Sequence, residues 1–196
     1  MKKTIRFVIA AVVCVALIVG YYYYLSGKIA SRDATDTAGG QLTEVQTIIA
    51  KDFVGDYPKT PREVVKWYNR IIKEYYAEEH TDAEITALAD QQRMLLDEEL
   101  LSYNPRDEFL MQVKNDINNY NVRDQKIISA KICSSNDVSY GTVQGYECAY
   151  VTSYYFTRTG NDYSRTFQEY CLRKDANGQW KILTFRLTTG DPEDYA

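Results

Sequence analysis

The chain has 196 residues and a formal net charge of −4, with 27 acidic against 23 basic residues. Lys2, Lys3 and Arg6 precede the first acid, so the rest is more acidic still, which argues against binding nucleic acid by phosphate neutralisation. A single histidine, His80, all but excludes a buried His base or a multi-His zinc site. The 18 tyrosines set the chain's character, and four of them stand together at Tyr21–Tyr24.

Residues 7–25 carry no charge. About 20 apolar residues in a helix cross a bilayer, so this run is expected to be a transmembrane helix binding the lipid bilayer. The basic start places the N-terminus in the cytoplasm and the remainder outside, with Tyr21–Tyr24 as an interfacial belt. A cleaved signal peptide is the rival reading; bulky tyrosines where small residues would be expected count against it. Cys14 reads as an ordinary apolar residue of that helix. The expected organisation is residues 1–25 as cytoplasmic start and anchor, 26–57 as a linker with a short helix over 42–53, 58–188 as the folded domain, and 189–196 as an acidic tail.

Three helices are expected in the domain. Thr60-Pro61-Arg62-Glu63 is a helix start with Thr as N-cap, Pro at the first position and Glu closing a capping box. Val64, Trp67, Tyr68, Ile71 and Tyr75 then form one stripe. Thr81-Asp82-Ala83-Glu84 opens a second helix, with Ile85, Leu88, Leu95 and Leu96 inward and running toward Leu100. Asn104-Pro105 opens a third, with Phe109, Leu110, Val113, Ile117 and Tyr120 inward. His80, between acids at a helix boundary, reads as a solvated helix end.

Four strand-like runs follow, over residues 126–134, 144–157, 163–174 and 179–188. The last two are joined by Asp175-Ala176-Asn177-Gly178, a strong turn signal. Period two puts Tyr146, Cys148, Tyr150, Thr152, Tyr154, Phe156, Arg165, Phe167, Glu169, Cys171, Trp180, Ile182, Thr184 and Arg186 on one face. Val151, Tyr155, Tyr170, Leu172, Leu183, Phe185 and Leu187 take the other. Neither face is plainly polar. Either both are covered, by helices and by a second subunit, or the tyrosine-rich strands leave one face wet.

The expected fold is therefore α+β: an N-terminal transmembrane helix, then three helices packed on a curved four-stranded antiparallel sheet. The Thr-Pro-Arg-Glu helix start, the helical half and a sheet ending in Asn177-Gly178-Gln179-Trp180-Lys181-Ile182 resemble the cone-shaped, cystatin-like fold of nuclear transport factor two and the small polyketide cyclases. Within that group the chain is similar to uncharacterised membrane-anchored proteins of the bacterial envelope. The resemblance covers residues 58–188 and implies a sheet wrapped round a long first helix, with a pocket at the open end. It implies no activity.

No Ser-His-Asp set, phosphate-cradling glycine loop or CxxC motif is present, and no metal, cofactor or catalytic residue is assigned. Trp67, Tyr150, Tyr154, Glu169 and Arg186 are the ligand-pocket candidates. A carboxylate beside arginine in a pocket would have its pKa perturbed. Cys148 and Cys171 are the candidate disulfide. A hairpin loop over residues 158–161 sets them directly opposite, and one over 159–162 sets them diagonal. Cys133 then stays unpaired within the chain.

Two function classes are weighed. One is a membrane-anchored, extracytoplasmic, non-catalytic domain that binds an envelope protein or small ligand, or scaffolds. The alternative is a small-molecule cyclase- or isomerase-like enzyme using Glu169 with Tyr150 or Tyr154. A homodimer through the sheet face of Val151, Leu183 and Phe185 is a further expectation.

Overall fold

A computed structural model describes residues 42–77 and 79–190, which lie in one compact unit beginning at Leu42. Its helices are α1 (Glu44–Ile49), α2 (Pro61–Tyr75), α3 (Asp82–Arg93), α4 (Glu98–Ser102) and α5 (Arg106–Val122). Its strands are β1 (Gln125–Ile132), β2 (Ser139–Val143), β3 (Tyr146–Thr159), β4 (Asp162–Lys174) and β5 (Trp180–Thr188). The expectation of three helices on four strands is thus corrected to five helices and one five-stranded antiparallel sheet. No helix among the described residues is long and apolar enough to cross a membrane. Residues 7–25, on which the transmembrane expectation rested, lie outside the described residues, as do the short linker before Leu42 and most of the acidic tail.

The helix starts follow local chemistry. Thr43, Thr60 and Thr81 each cap a helix, and the third-position Gln46, Glu63 and Glu84 each bond back to the cap N–H. These reciprocal bonds satisfy donors that a helix start otherwise leaves orphaned. The chain departs from expectation after Arg93. The apolar pair Leu95-Leu96 leaves the helix and runs beside β5, with Asp97 N–H donating to Ile182 O at 2.8 Å and Ile182 N–H to Leu95 O at 2.9 Å. Both leucines are buried there, and each such burial is worth about 1.5–3 kcal/mol. Asp97 then caps α4 by accepting from Glu99 N–H at 2.9 Å.

The sheet order is β1-β3-β4-β5, with β2 also paired to β3. Long β3 is shared on one edge, its Ser153–Thr159 half with β1 and its Tyr146–Tyr150 half with β2. Strand β2 escaped the sequence reading because it is short, contains Gly141 and is exposed throughout, so no apolar alternation marks it. Its turn into β3 is Gln144-Gly145, both at positive φ (52° and 86°), a primed hairpin turn without the usual Asn or Asp at its first position.

A β-bulge corrects the expected faces. Cys171 pairs with Thr184 but Leu172 with Ile182, so Leu183 is surplus in β5. Trp180 and Ile182 therefore join Val151, Tyr155, Tyr170 and Leu172 on the face covered by the helices, instead of sharing a face with Arg186. Helix α2 lies across β1, β3 and β5 and carries Val64, Val65, Tyr68 and Ile71 into this core. Val151 is fully buried beneath it, so the expected dimer face is in its centre the core. Phe185 and Leu187 remain exposed at its rim. The opposite face is half-exposed, with its aromatics packed on one another, as in Tyr154 on Phe167 at 5.3 Å between ring centroids.

Candidate functional site

Between the helices and the inner face of the sheet lies a cavity of about 500 Å³. Its floor is the strand side chains Ile127, Tyr155, Thr157, Thr166, Gln168, Tyr170, Ile182 and Phe185. Helix α2 and its C-terminal residue contribute Tyr68, Ile72, Tyr75 and Tyr76, and α5 closes the far wall with Phe109, Gln112, Val113, Asp116 and Tyr120. Apolar and aromatic groups predominate, with a few amides and hydroxyls, as in cavities that hold small molecules. Asp116 is the one charged residue in the lining, and no Lys, Arg, His, Cys or Ser lines it.

The α5 wall is built unlike the others. Helix α5 has no buried residue and no side-chain N-cap. It is held from outside by Arg106 to Asp90 at 2.7 Å and Lys114 to Asp82 at 3.0 Å. From inside, Tyr120 stacks on Tyr76, with centroids 3.8 Å apart and planes at 19°.

A row of polar groups runs from the cavity floor into the core between α2 and the sheet. Tyr155 Oη lies 2.6 Å from Tyr170 Oη and donates to Asn69 Oδ1. Asn69 Nδ2 donates to Ser153 Oγ at 2.6 Å, and Ser153 donates to Lys131 O at 2.9 Å. At the other end Tyr170 Oη is 2.7 Å from the Gln168 amide. A second set joins Tyr75 Oη to Gln92 Oε1 at 2.8 Å. Burial pushes the hydroxyls of Tyr68, Tyr75, Tyr76, Tyr155 and Tyr170 upward. They therefore stay protonated and act as neutral hydrogen-bonding groups, since burial disfavours the phenolate.

The sequence-derived site residues do not meet in this cavity. Tyr150, Glu169 and Arg186 come together on the outer face, where they share an open groove with Ser139 and Cys171. Arg186 Nη2 lies 2.6 Å from Glu169 Oε1, and the arginine is exposed. Tyr154 is on the same face but buried against Phe167. Trp67 is apart from all of them, on the outer side of α2, with Phe53 edge-on at 5.6 Å and the Arg70 guanidinium 4.1 Å over its ring. The carboxylate–arginine pair of the enzymatic alternative is thus separated from the cavity by the thickness of the sheet.

Cys133, Cys148 and Cys171 are free thiols. The β3–β4 loop closes between Thr159 and Asp162, so Cys148 faces Arg173, and Cys171 faces Tyr150. Cys148 and Cys171 are diagonal, and burial raises the Cys171 thiol where it touches Cys148 and Tyr150. His80 is corrected from a solvated residue: its side chain is 5% exposed, and Nε2 lies 2.8 Å from Glu74 O at the end of α2. No cluster of potential metal ligands exists among the described residues.

Tyr155, Tyr170 and Phe185, the cavity residues that sequence reasoning had put on an apolar face, were assigned there to dimerisation. Asn69, Gln92 and Gln168 were not singled out. Their signal was a polar residue at an inward position of an otherwise apolar stripe, as with Asn69 one residue after Tyr68.

Fold and cavity together define an α+β domain with a largely apolar chamber between helices and sheet. Over residues 1–185 the chain matches the family described as Domain of unknown function (DUF6715), and it belongs to that family. No curated protein matches it.

Proposed function

We propose that this is a non-catalytic binding domain that takes a small molecule into the chamber between α2, α5 and the sheet. The observation that carries the reading is the lining itself. It joins ligand-sized volume to protonated phenols and amides, and it includes no nucleophile, general base or cation beside the lone Asp116. Glu169, the acid on which an enzymatic reading depended, is engaged by Arg186 on the other side of the sheet.

The domain is held at the outside of the cell membrane by the uncharged run 7–25, on the support of its length and the basic residues before it. A kinship with the nuclear transport factor two group is supported by helices covering one face of an antiparallel sheet around a chamber.

Titrating the full-length chain with the neutral dye Nile red tests the binding reading. Saturable, one-to-one emission enhancement is expected, lost in both Gln112→Trp and Thr166→Trp, which fill the chamber from opposite walls. Unsaturable binding, or binding untouched by both variants, would overturn it. Protease added to intact cells should remove the domain; full protection would refute the outside placement.

A further inference from the structure

The proton count along the chamber floor limits what the chamber can hold. Five contacts run in series: Gln168 to Tyr170, Tyr170 to Tyr155, Tyr155 to Asn69, Asn69 to Ser153, and Ser153 to Lys131 O. Each hydroxyl has one proton to give. Ser153 gives its own to the Lys131 carbonyl. Asn69 therefore donates to Ser153 through Nδ2 and turns Oδ1 to Tyr155, which spends its proton there. The 2.6 Å contact between the two phenols then requires Tyr170 to donate to Tyr155.

Tyr170 has nothing left for Gln168. With Gln168 Oε1 facing Tyr170 Oη, two acceptors would meet at 2.7 Å without a proton. Such a buried, unmade contact is costly. Turning the Gln168 amide over places Nε2 on Tyr170, and all five contacts are satisfied. The opposite polarity needs Asn69 turned instead and strips Ser153 from Lys131 O, leaving four.

Gln168 belongs to the chamber lining, and its amide atom that points away from Tyr170 has no protein partner among the described residues and is not sealed from contact. In the satisfied polarity that atom is Oε1, an acceptor. Resting on the binding reading above, we infer that the chamber takes a neutral, largely aromatic compound whose hydroxyl or N–H group donates to Gln168 Oε1. An anion is disfavoured because no Lys, Arg or His in the lining compensates its charge.

Three bicyclic probes of one size test this with the full-length chain at pH 7: 2-naphthol (neutral, a donor), 2-methoxynaphthalene (neutral, no donor) and 2-naphthoate (an anion). Binding of naphthol about tenfold tighter than the methyl ether is expected, the worth of one buried hydrogen bond, with naphthoate weakest. Gln168→Met should abolish the naphthol preference while the methyl ether keeps its affinity. Equal affinity of the two neutral probes, a preference that survives Gln168→Met, or tightest binding by naphthoate would overturn the ligand class and leave the chamber reading intact. Failure of all three to bind would overturn both.

Discussion

Tyr76 and Tyr120 lie face to face at 3.8 Å, one at the end of α2 and the other near the end of α5. This contact is the inner fastening of α5, a chamber wall that has no buried residue of its own. Aromatic pairs contribute about 0.5–1.5 kcal/mol beyond their area. Tyr120→Ala is expected to lower global stability by about 1 kcal/mol and to raise amide exchange across residues 106–122 well above that of α2. Uniform exchange across both helices in the variant would show that α5 is not held in this way.

Asn69 is 3% exposed and is bonded at both ends of its amide. Asn69→Leu removes a donor and an acceptor together and leaves Ser153 and Tyr155 short of partners, which costs about 2–3 kcal/mol. Tyr155→Phe leaves Asn69 Oδ1 without its donor while Tyr170 can turn its proton to Gln168, and is expected to cost about 1 kcal/mol. Urea denaturation of the two variants measures both; the reverse order would contradict the direction of the hydrogen-bonded row.

Asp97 reaches across to Arg173, with Arg173 Nε donating to Asp97 Oδ2 at 3.0 Å and a second bond beside it. The Asp97 side chain is 5% exposed. Arg173→Met leaves a buried carboxylate facing an apolar group, a class of change that costs about 3–5 kcal/mol. The double variant Arg173→Met with Asp97→Asn should recover much of the loss in a thermal melt. No recovery would locate the cost in packing instead of charge.

Acid should weaken the fold through its cap and anchor carboxylates. Bonds from Thr81 lower the Glu84 carboxyl below its ordinary value, and the Arg70 hydrogen bond does the same for Glu44. A carboxyl depressed in the folded state stabilises above its unfolded pKa, and the benefit disappears as pH falls through the folded one. The window therefore opens near 4.5 and extends downward. Glu44 is exposed and Glu84 half-buried at the surface, so solvent screening leaves each only a few tenths of a kcal/mol. Urea midpoints at pH 6 and pH 3 should converge for Glu84→Gln relative to the parent chain; an unchanged difference would reject the assignment.

Glu169→Gln should leave Nile red affinity within about twofold, because Glu169 and the chamber occupy opposite faces. A larger change would require communication through the sheet that its packing does not suggest.

What could be read from the chain was local. Thr60-Pro61-Arg62-Glu63 specifies its own helix start, and Asp175 with Asn177-Gly178 specifies its own turn, through bonds spanning a few residues. The break after Arg93 was not legible, since it depends on Leu95 and Leu96 finding β5, nearly ninety positions onward. The faces of β5 were misread for a similar reason: strict alternation has no place for a surplus Leu183. The chamber was hidden because its polar row draws on α2, β1, β3 and β4 at once. Period two did place Tyr155 and Tyr170 on one face, but it could not say that helices would arch over that face without filling it.

The surplus residue in β5 has a geometric effect beyond the phase of its side chains. A bulge sharpens the local bend and twist of its strand, and Phe185, two positions beyond Leu183, stands at the chamber's rim. Removing Leu183 would restore a regular ladder with Ile182 and Thr184 adjacent and every inward side chain still inward, yet the strand would straighten and carry Phe185 outward. The position of Phe185 at the chamber's edge is thus set by a one-residue excess lying between two residues of the floor, Ile182 and Phe185, a dimension that can be reset without changing either of those side chains.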